Sequence, residues 1–260
     1  MMKAIYFVCA LLLAMGAGAQ QTVHIKNAVG TCVIANISPE KAKETALFNA
    51  RLDALRKAGI AENLIVDITQ MGEVFLETSN LEIGGSITGF DLVSDDVKFI
   101  EEGGAKVLIA EVVINATVIK YDKESDPSFR IQVQGIKSAY REKETLTFSV
   151  TPYQNGYLRI FLFEEDGTGD QLYPDKEKEP DMLLSKDGTI KFPLNGQYYY
   201  RLEKSDRTKA KEINRILFLF LKDDIHFAEN HISLQAVSNW KAKISPDRRT
   251  QVFTEFAIER

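Results

Sequence analysis

Residues 30–60 read GTCVIANISPEKAKETALFNARLDALRKAGI, and this stretch decides the architecture of the first half of the chain. Its centre is a helix with both ends written into the sequence. Ser38 supplies an N-cap oxygen, and Pro39 sits at the first helical position, where a missing N–H costs nothing. Gly59 stops the helix after Lys57 or Ala58. Ala42, Ala46, Ala50, Ala54 and Ala58 recur every four residues, flanked by Leu47, Leu52 and Leu55. That spacing lays a stripe of methyl groups along one side, suited to close packing on a sheet or another helix. An oligomerising face is the alternative use of such a stripe.

Upstream, Val23, Ile25, Val29, Val33, Ile34 and Ile37 mark residues 23–37 as a strand, with Gly30 as the candidate bend. Downstream, residues 61–80 are apolar enough for a second helix or a strand–helix mixture, and the sequence leaves both open. Residues 86–101 alternate through Ile87, Phe90, Leu92, Val97 and Phe99. Gly103-Gly104 follows as a turn, and residues 107–121 continue the β pattern, so the two runs predict a long antiparallel hairpin.

Residues 123–127, Lys-Glu-Ser-Asp-Pro, are polar and end in proline, as a linker does. Beyond them short apolar runs alternate with turn signals: Leu146, Phe148, Val150; Leu158, Ile160, Leu162 opposite Tyr157, Phe161, Phe163; then residues 216–221 and 252–258. A short helix over 232–244 carries Val237, Trp240 and Ile244. The expected fold class is therefore α+β. A strand–long helix–antiparallel hairpin domain (20–122) precedes a mainly antiparallel β-sandwich domain (128–260) with a short C-terminal helix.

The first nineteen residues read as a cleavable export signal. Lys3 gives a positive start, residues 4–15 are apolar but shorter than the roughly 20 residues of a membrane span, and Ala17 and Ala19 form an A-x-A site. Cleavage after Ala19 leaves Gln20 first and the product periplasmic or secreted. Cys9 lies inside the apolar run, not at its end, so no lipid attachment is expected there. Cys32 is then the single remaining cysteine, which excludes an internal disulfide and leaves the fold to its hydrophobic core. With 37 acidic against 32 basic residues and no basic block, the chain is a poor ligand for nucleic acid or an anionic membrane.

No catalytic motif appears. His226 and His231 are five apart, there is no HExxH or mature CxxC, and G-x-S-x-G is absent, so no zinc site and no Ser–His–Asp triad is expected. Gly167-Thr168-Gly169 lacks the G-K-[ST] of a phosphate loop. The one metal candidate is a weak calcium loop, Glu164, Asp166 and Asp170, without EF-hand spacing. The run Tyr198-Tyr199-Tyr200 places Tyr198 and Tyr200 on one strand face, as core residues or as an aromatic platform. No cofactor is expected.

Residues 30–60, with the hairpin over 87–118, resemble the N-terminal domain of flagellar assembly protein T and related bacterial envelope lipoprotein domains. Those carry a strand and then an alanine-rich helix with an A-x3-A-x3-A rhythm. Residues 157–174, through Asp166-Gly167 and Leu172-Tyr173-Pro174, resemble an uncharacterised β-sandwich accessory domain of bacterial envelope proteins. The resemblance implies assembly or accessory roles and no catalytic residues.

The leading expectation is a non-enzymatic envelope protein acting as an assembly or protein-interaction module, with a protein partner. Its contact surface is expected along strand edges of the second domain and the 164–182 region, anchored by Tyr173, with Trp240 either a second anchor or a core residue. A small-molecule or glycan module using Tyr198 and Tyr200 is the alternative, and a carboxylate-dependent hydrolase a third. The sequence leaves the oligomeric state open.

Overall fold

The computed structural model describes residues 21–60, 84–175, 179–194 and 199–260. The expected export signal, the segment 61–80 and Tyr198 lie outside the described residues. The protein is mixed α+β: a strand–helix–hairpin sheet followed by several mainly antiparallel sheets.

The first sheet contains β1 (Gln21–Val33), β2 (Gly85–Glu102) and β3 (Ala105–Lys120) in the order β1-β3-β2, all antiparallel. Helix α1 (Pro39–Lys57) lies across one face. Its Ser38 Oγ accepts from Lys41 N at 3.2 Å, and Gly59 ends it at φ 82°. All five stripe alanines are buried against Ile25, Ala28, Val112, Ile114, Ala116 and Val118, so the stripe packs within its own sheet. Gly103 and Gly104 close β2 onto β3 with φ of 61° and 82°, the two positive values a tight hairpin turn requires.

Gly30 corrects the expected bend. The register of β1 slips between Ile25 and Ala28, where Asn27 adopts φ 52° and its N–H donates to Asn115 Oδ1 at 3.0 Å. Gly30 instead marks the closest approach of α1: a Cβ there would stand 2.0 Å from the Ala46 carbonyl oxygen and 2.1 Å from the Ala50 nitrogen. The same helix seals the outer edge of β1. Val29 N–H donates to Asp53 Oδ2 (2.8 Å), Asn49 Nδ2 to Thr31 O (2.9 Å) and Lys57 Nζ to Asn27 O (2.8 Å). These bonds occupy backbone groups that an edge strand otherwise offers to a neighbour.

The second half holds β4 (Ile131–Gln134), β5 (Ala139–Arg141), β6 (Thr145–Leu146), β7 (Phe148–Pro152), β8 (Gly156–Phe163), β9 (Gly169–Tyr173), β10 (Leu183–Leu184), β11 (Ile190–Phe192), β12 (Tyr200–Arg201), β13 (Lys211–Leu221), helix α2 (Leu234–Ala242) and β14 (Arg249–Glu259). The main sheet runs β10-β8-β13-β14-β5, with β9 also on β8 and β5 parallel to β14. A three-stranded sheet β11-β7-β4 and the short pair β12-β6 accompany it.

Both faces of the main sheet are covered. Leu158, Ile160, Ile216, Phe218 and Phe220 share a core with Phe148, Val150 and Phe192 of the smaller sheet, and the Phe148 and Phe218 rings meet edge to face at 5.0 Å. On the opposite face Phe161, Phe163 and Leu217 pack under Val237 and Trp240 of α2. Residues 216–221 are therefore buried without a break, as in strands enclosed on both sides.

The two halves touch. Tyr121 Oη donates to the Ala242 carbonyl (3.0 Å) and accepts from Arg249 Nη2 (3.1 Å). Residues 123–127 are tied to the second half by Lys123–Asp247 (3.0 Å) and Asp126–Lys222 (2.6 Å).

Candidate functional site

Of the sequence-level candidates, Asp170 and Tyr200 come together on one cavity, whereas Asp166 stays in the β8–β9 turn. Tyr173, the expected contact anchor, is completely buried at the end of β9. Its ring meets Phe192 edge to face at 5.1 Å, and its hydroxyl accepts from Met182 N (3.1 Å). Burial, helped by nearby Asp181, pushes this phenol up to about 12. Tyr173 is thus a core residue, because the turn at Asp166-Gly167 folds β9 back along β8 and turns the ring inward.

Tyr200 is half-buried, and its hydroxyl is committed to the Glu179 carboxylate. Burial and that hydrogen bond to a carboxylate raise its pKa. Tyr199 beside it is 68% exposed. It stands between two concave surfaces. One, of about 350 Å³, is walled by Asp170, Asp175, Glu179, Tyr199 and Tyr200. The other, of about 650 Å³, crosses the outer face of the smaller sheet, where Gln134, Ser149 and Lys191 form one cross-strand row. Alternation assigned Tyr199 to the face opposite its neighbours, and that parity was the usable signal for it.

Glu179 is buried, with one oxygen accepting from Leu194 N and the other from Tyr200 Oη. Its carboxylate holds the loop after β9 against β12. Asp170 and Asp175 are the remaining acids of that cavity.

The calcium candidates do not converge. Asp166 Oδ1 accepts from Thr168 N (2.8 Å) and Thr168 Oγ1 (2.6 Å), and these bonds hold its carboxyl below the usual range. Asp170 faces the smaller cavity, and Glu164 N–H closes the turn on Thr168 O. Trp240 packs on Phe161 and Phe227 at 6.1 and 5.4 Å between ring centres, anchoring α2 to the sheet.

A different group of side chains meets at the other end of β8. Arg159, wholly buried, reaches Asp181 with Nη1 (3.0 Å to Oδ1) and Nη2 (2.8 Å to Oδ2), and Asp224 Oδ1 with Nη2 (2.6 Å). Its Nε donates to Ile225 O at 3.1 Å. His226 completes the group, with Nε2 3.3 Å from Asp224 Oδ1 and Nδ1 4.0 Å from Asp181 Oδ2. Desolvation raises the Asp181 carboxyl and Arg159 opposes the shift; adjacent Asp224 adds to the rise. Sequence spacing could not find this cluster, because Asp181 lies far along the chain from Asp224 and His226.

The edge of β2 differs from that of β1. Between Phe90 and Phe99 every side chain except Ser94 is exposed, including Leu92, Val93, Val97 and Phe99. Lys43 reaches this stretch through Asp95 at 2.6 Å.

Residues 139–210 match the model of a family described as a domain of unknown function, DUF4384. The match covers β5 to β12, and with them Tyr173, Glu179, Tyr199 and Tyr200. No curated protein matches the chain. Among the described residues no helix is long and apolar enough to cross a membrane.

Proposed function

We propose that the protein is an exported, non-enzymatic component of the bacterial cell envelope that acts as an assembly or protein-interaction module, pairing a partner's strand with β2, the outer strand of its sheet among the described residues. One observation carries this reading: Leu92, Val93, Val97 and Phe99 project from an edge strand whose counterpart, β1, is sealed by α1. Large exposed apolar groups on a strand that is outermost among the described residues are features that strand addition uses. The export signal and the likeness of residues 30–60 to the N-terminal domain of flagellar assembly protein T support the location. The contact surface thereby moves from Tyr173 to β2.

Phe99→Asp and Val97→Lys test the reading, since both side chains are exposed and change stability by no more than about 0.5 kcal/mol. Wild-type protein carrying a photo-crosslinker at position 101 is expected to capture one envelope protein reproducibly, and both variants to lose it. Equal capture by wild type and variants, or none over a range of salt, rejects the proposal.

A glycan or small-molecule module is favoured by a separate observation, the exposed Tyr199 ring beside the row Gln134, Ser149 and Lys191. Calorimetry with cell-wall fragments on wild type and Tyr199→Ala decides it: saturable heat that disappears in the variant supports it, and no heat removes it.

A further inference from the structure

We infer that the concave outer face of the smaller sheet takes a carboxylate-bearing oligosaccharide, with a sugar ring stacked on Tyr199 and the carboxylate held by Lys191. The inference rests on the glycan reading above and names the class of sugar that this surface selects. The concavity measures about 650 Å³, inside the range of roughly 300–1,000 Å³ typical of ligand sites.

Its polar groups stand in a row. Lys191 of β11 lies opposite Ser149 of β7, and Ser149 lies opposite Gln134 of β4, so pairing sets all three side chains on one face. Strands are about 4.8 Å apart, so the row reaches across roughly 10 Å. Thr147 adds a hydroxyl to the same lining. Among the described residues, none of these four side chains hydrogen-bonds to another protein group. Further along the sheet the hydroxyls behave differently, and Thr151 and Thr189 bond each other at 2.8 Å. The row at the cavity therefore keeps its amide, hydroxyls and ammonium available.

Tyr199 supplies the stacking surface. Tyr200, next to it, stacks on Phe148 at 6.1 Å between ring centres, whereas the exposed Tyr199 ring meets no aromatic or cationic partner among the described residues. A sugar ring offers a flat C–H face for such a ring and a rim of hydroxyls for the flanking amide and alcohols. An added peptide strand fits less well, because β7 in the middle of the row already pairs with β11 and β4.

The charge fixes the class of sugar. Lys191 is the one charged side chain of this lining, and its ammonium has no carboxylate partner among the described residues. A single point charge suits one carboxylate. Phosphate draws arginine forks or a helix N-terminus, and neither lines this surface. On the far side of Tyr199, Asp170, Asp175 and Glu179 wall the smaller cavity, and their charge turns an acidic ligand toward Lys191.

Calorimetry on the full chain compares two tetrasaccharides, peptidoglycan glycan freed of its peptides and chitotetraose. Both have N-acetylated rings, and the first alone carries carboxylates. The acidic sugar is expected to bind about fivefold more tightly, the worth of one exposed charge pair, and to lose that advantage as salt rises. Lys191→Met should erase the preference while keeping the affinity for chitotetraose, and Tyr199→Ala should abolish binding of both. Both side chains are exposed, so each variant should melt as wild type does. Equal affinity for the two sugars, or a preference that survives Lys191→Met, would overturn the acid assignment and leave the glycan reading standing. Binding that survives Tyr199→Ala puts the ligand elsewhere and overturns the site. No heat from either sugar rejects the glycan reading itself, and this inference with it.

Discussion

The three-stranded sheet and the main sheet enclose their strands differently. In the first, α1 covers one face, so β1 alternates: Ile25, Ala28 and Gly30 are buried while Lys26, Val29 and Thr31 are exposed. In the second, a β layer covers one face of β8 and β13 and α2 covers the other, so residues 216–221 are buried in succession. The first sheet is held by close backbone approach through glycine and alanine. The second is held by aromatic volume, with Phe129 stacked on Phe220 at 4.8 Å and Phe148 against Phe218. The difference also locates accessible surface. Among the described residues, a sheet with one covered face and one sealed edge leaves β2 outermost, whereas an enclosed sheet leaves accessible surface to the loops around it.

The comparison can be broken at its strongest point by Phe218→Ala. This ring is fully buried between layers, so its loss should cost about 3–5 kcal/mol by urea unfolding monitored at Trp240. A cost under about 1 kcal/mol would mean that the second core is not packed by its aromatics.

Gly30→Ala probes the other packing mode and should cost less, about 2–3 kcal/mol. A single methyl group would press on the backbone of α1 at Ala46 and Ala50, forcing the helix outward. Circular dichroism melting should show the loss, and unchanged stability would remove the close approach as the reason for glycine.

The smallest effect is expected from Tyr173→Phe, about 1 kcal/mol at neutral pH for the lost hydroxyl contact to Met182 N. Its pH dependence sharpens the reading. The folded phenol titrates near 12 against an ordinary 10, so the folded state holds its proton longer than the unfolded state does. Wild-type stability should therefore fall as pH rises from about 10 to 12, and the variant should be spared that part of the fall. The gap between the two urea midpoints should shrink over this window; a constant gap would refute a buried phenol.

Much of the N-terminal half is legible because its signals are local. Ser38, Pro39, the alanine repeat and Gly59 delimit α1, and Gly103-Gly104 locates the hairpin turn. Gly30 misleads as a bend because a glycine in a strand serves either a kink or a close approach, and the distinction depends on α1. In the second half, turn signals and apolar runs show β structure, yet a run such as ILFLFL does not say what covers each face.

The site was less legible. Aromatic character drew attention to Tyr173, which the β8–β9 pairing buries, and to Tyr200, which Glu179 holds. The Arg159 cluster has no signature at all, because its members are ordinary surface types until the two loops meet.

By itself, the sequence determined the α+β class, the ends of α1 and the hairpin. Caps, turns and periodicity act over a few residues, and neighbours along the chain suffice to express them. Only the tertiary structure decided that α1 seals the edge of β1, that Tyr199 reaches solvent and which distant acids and histidine converge on Arg159. Those outcomes depend on which faces are buried against which, and burial is a property of the packed whole.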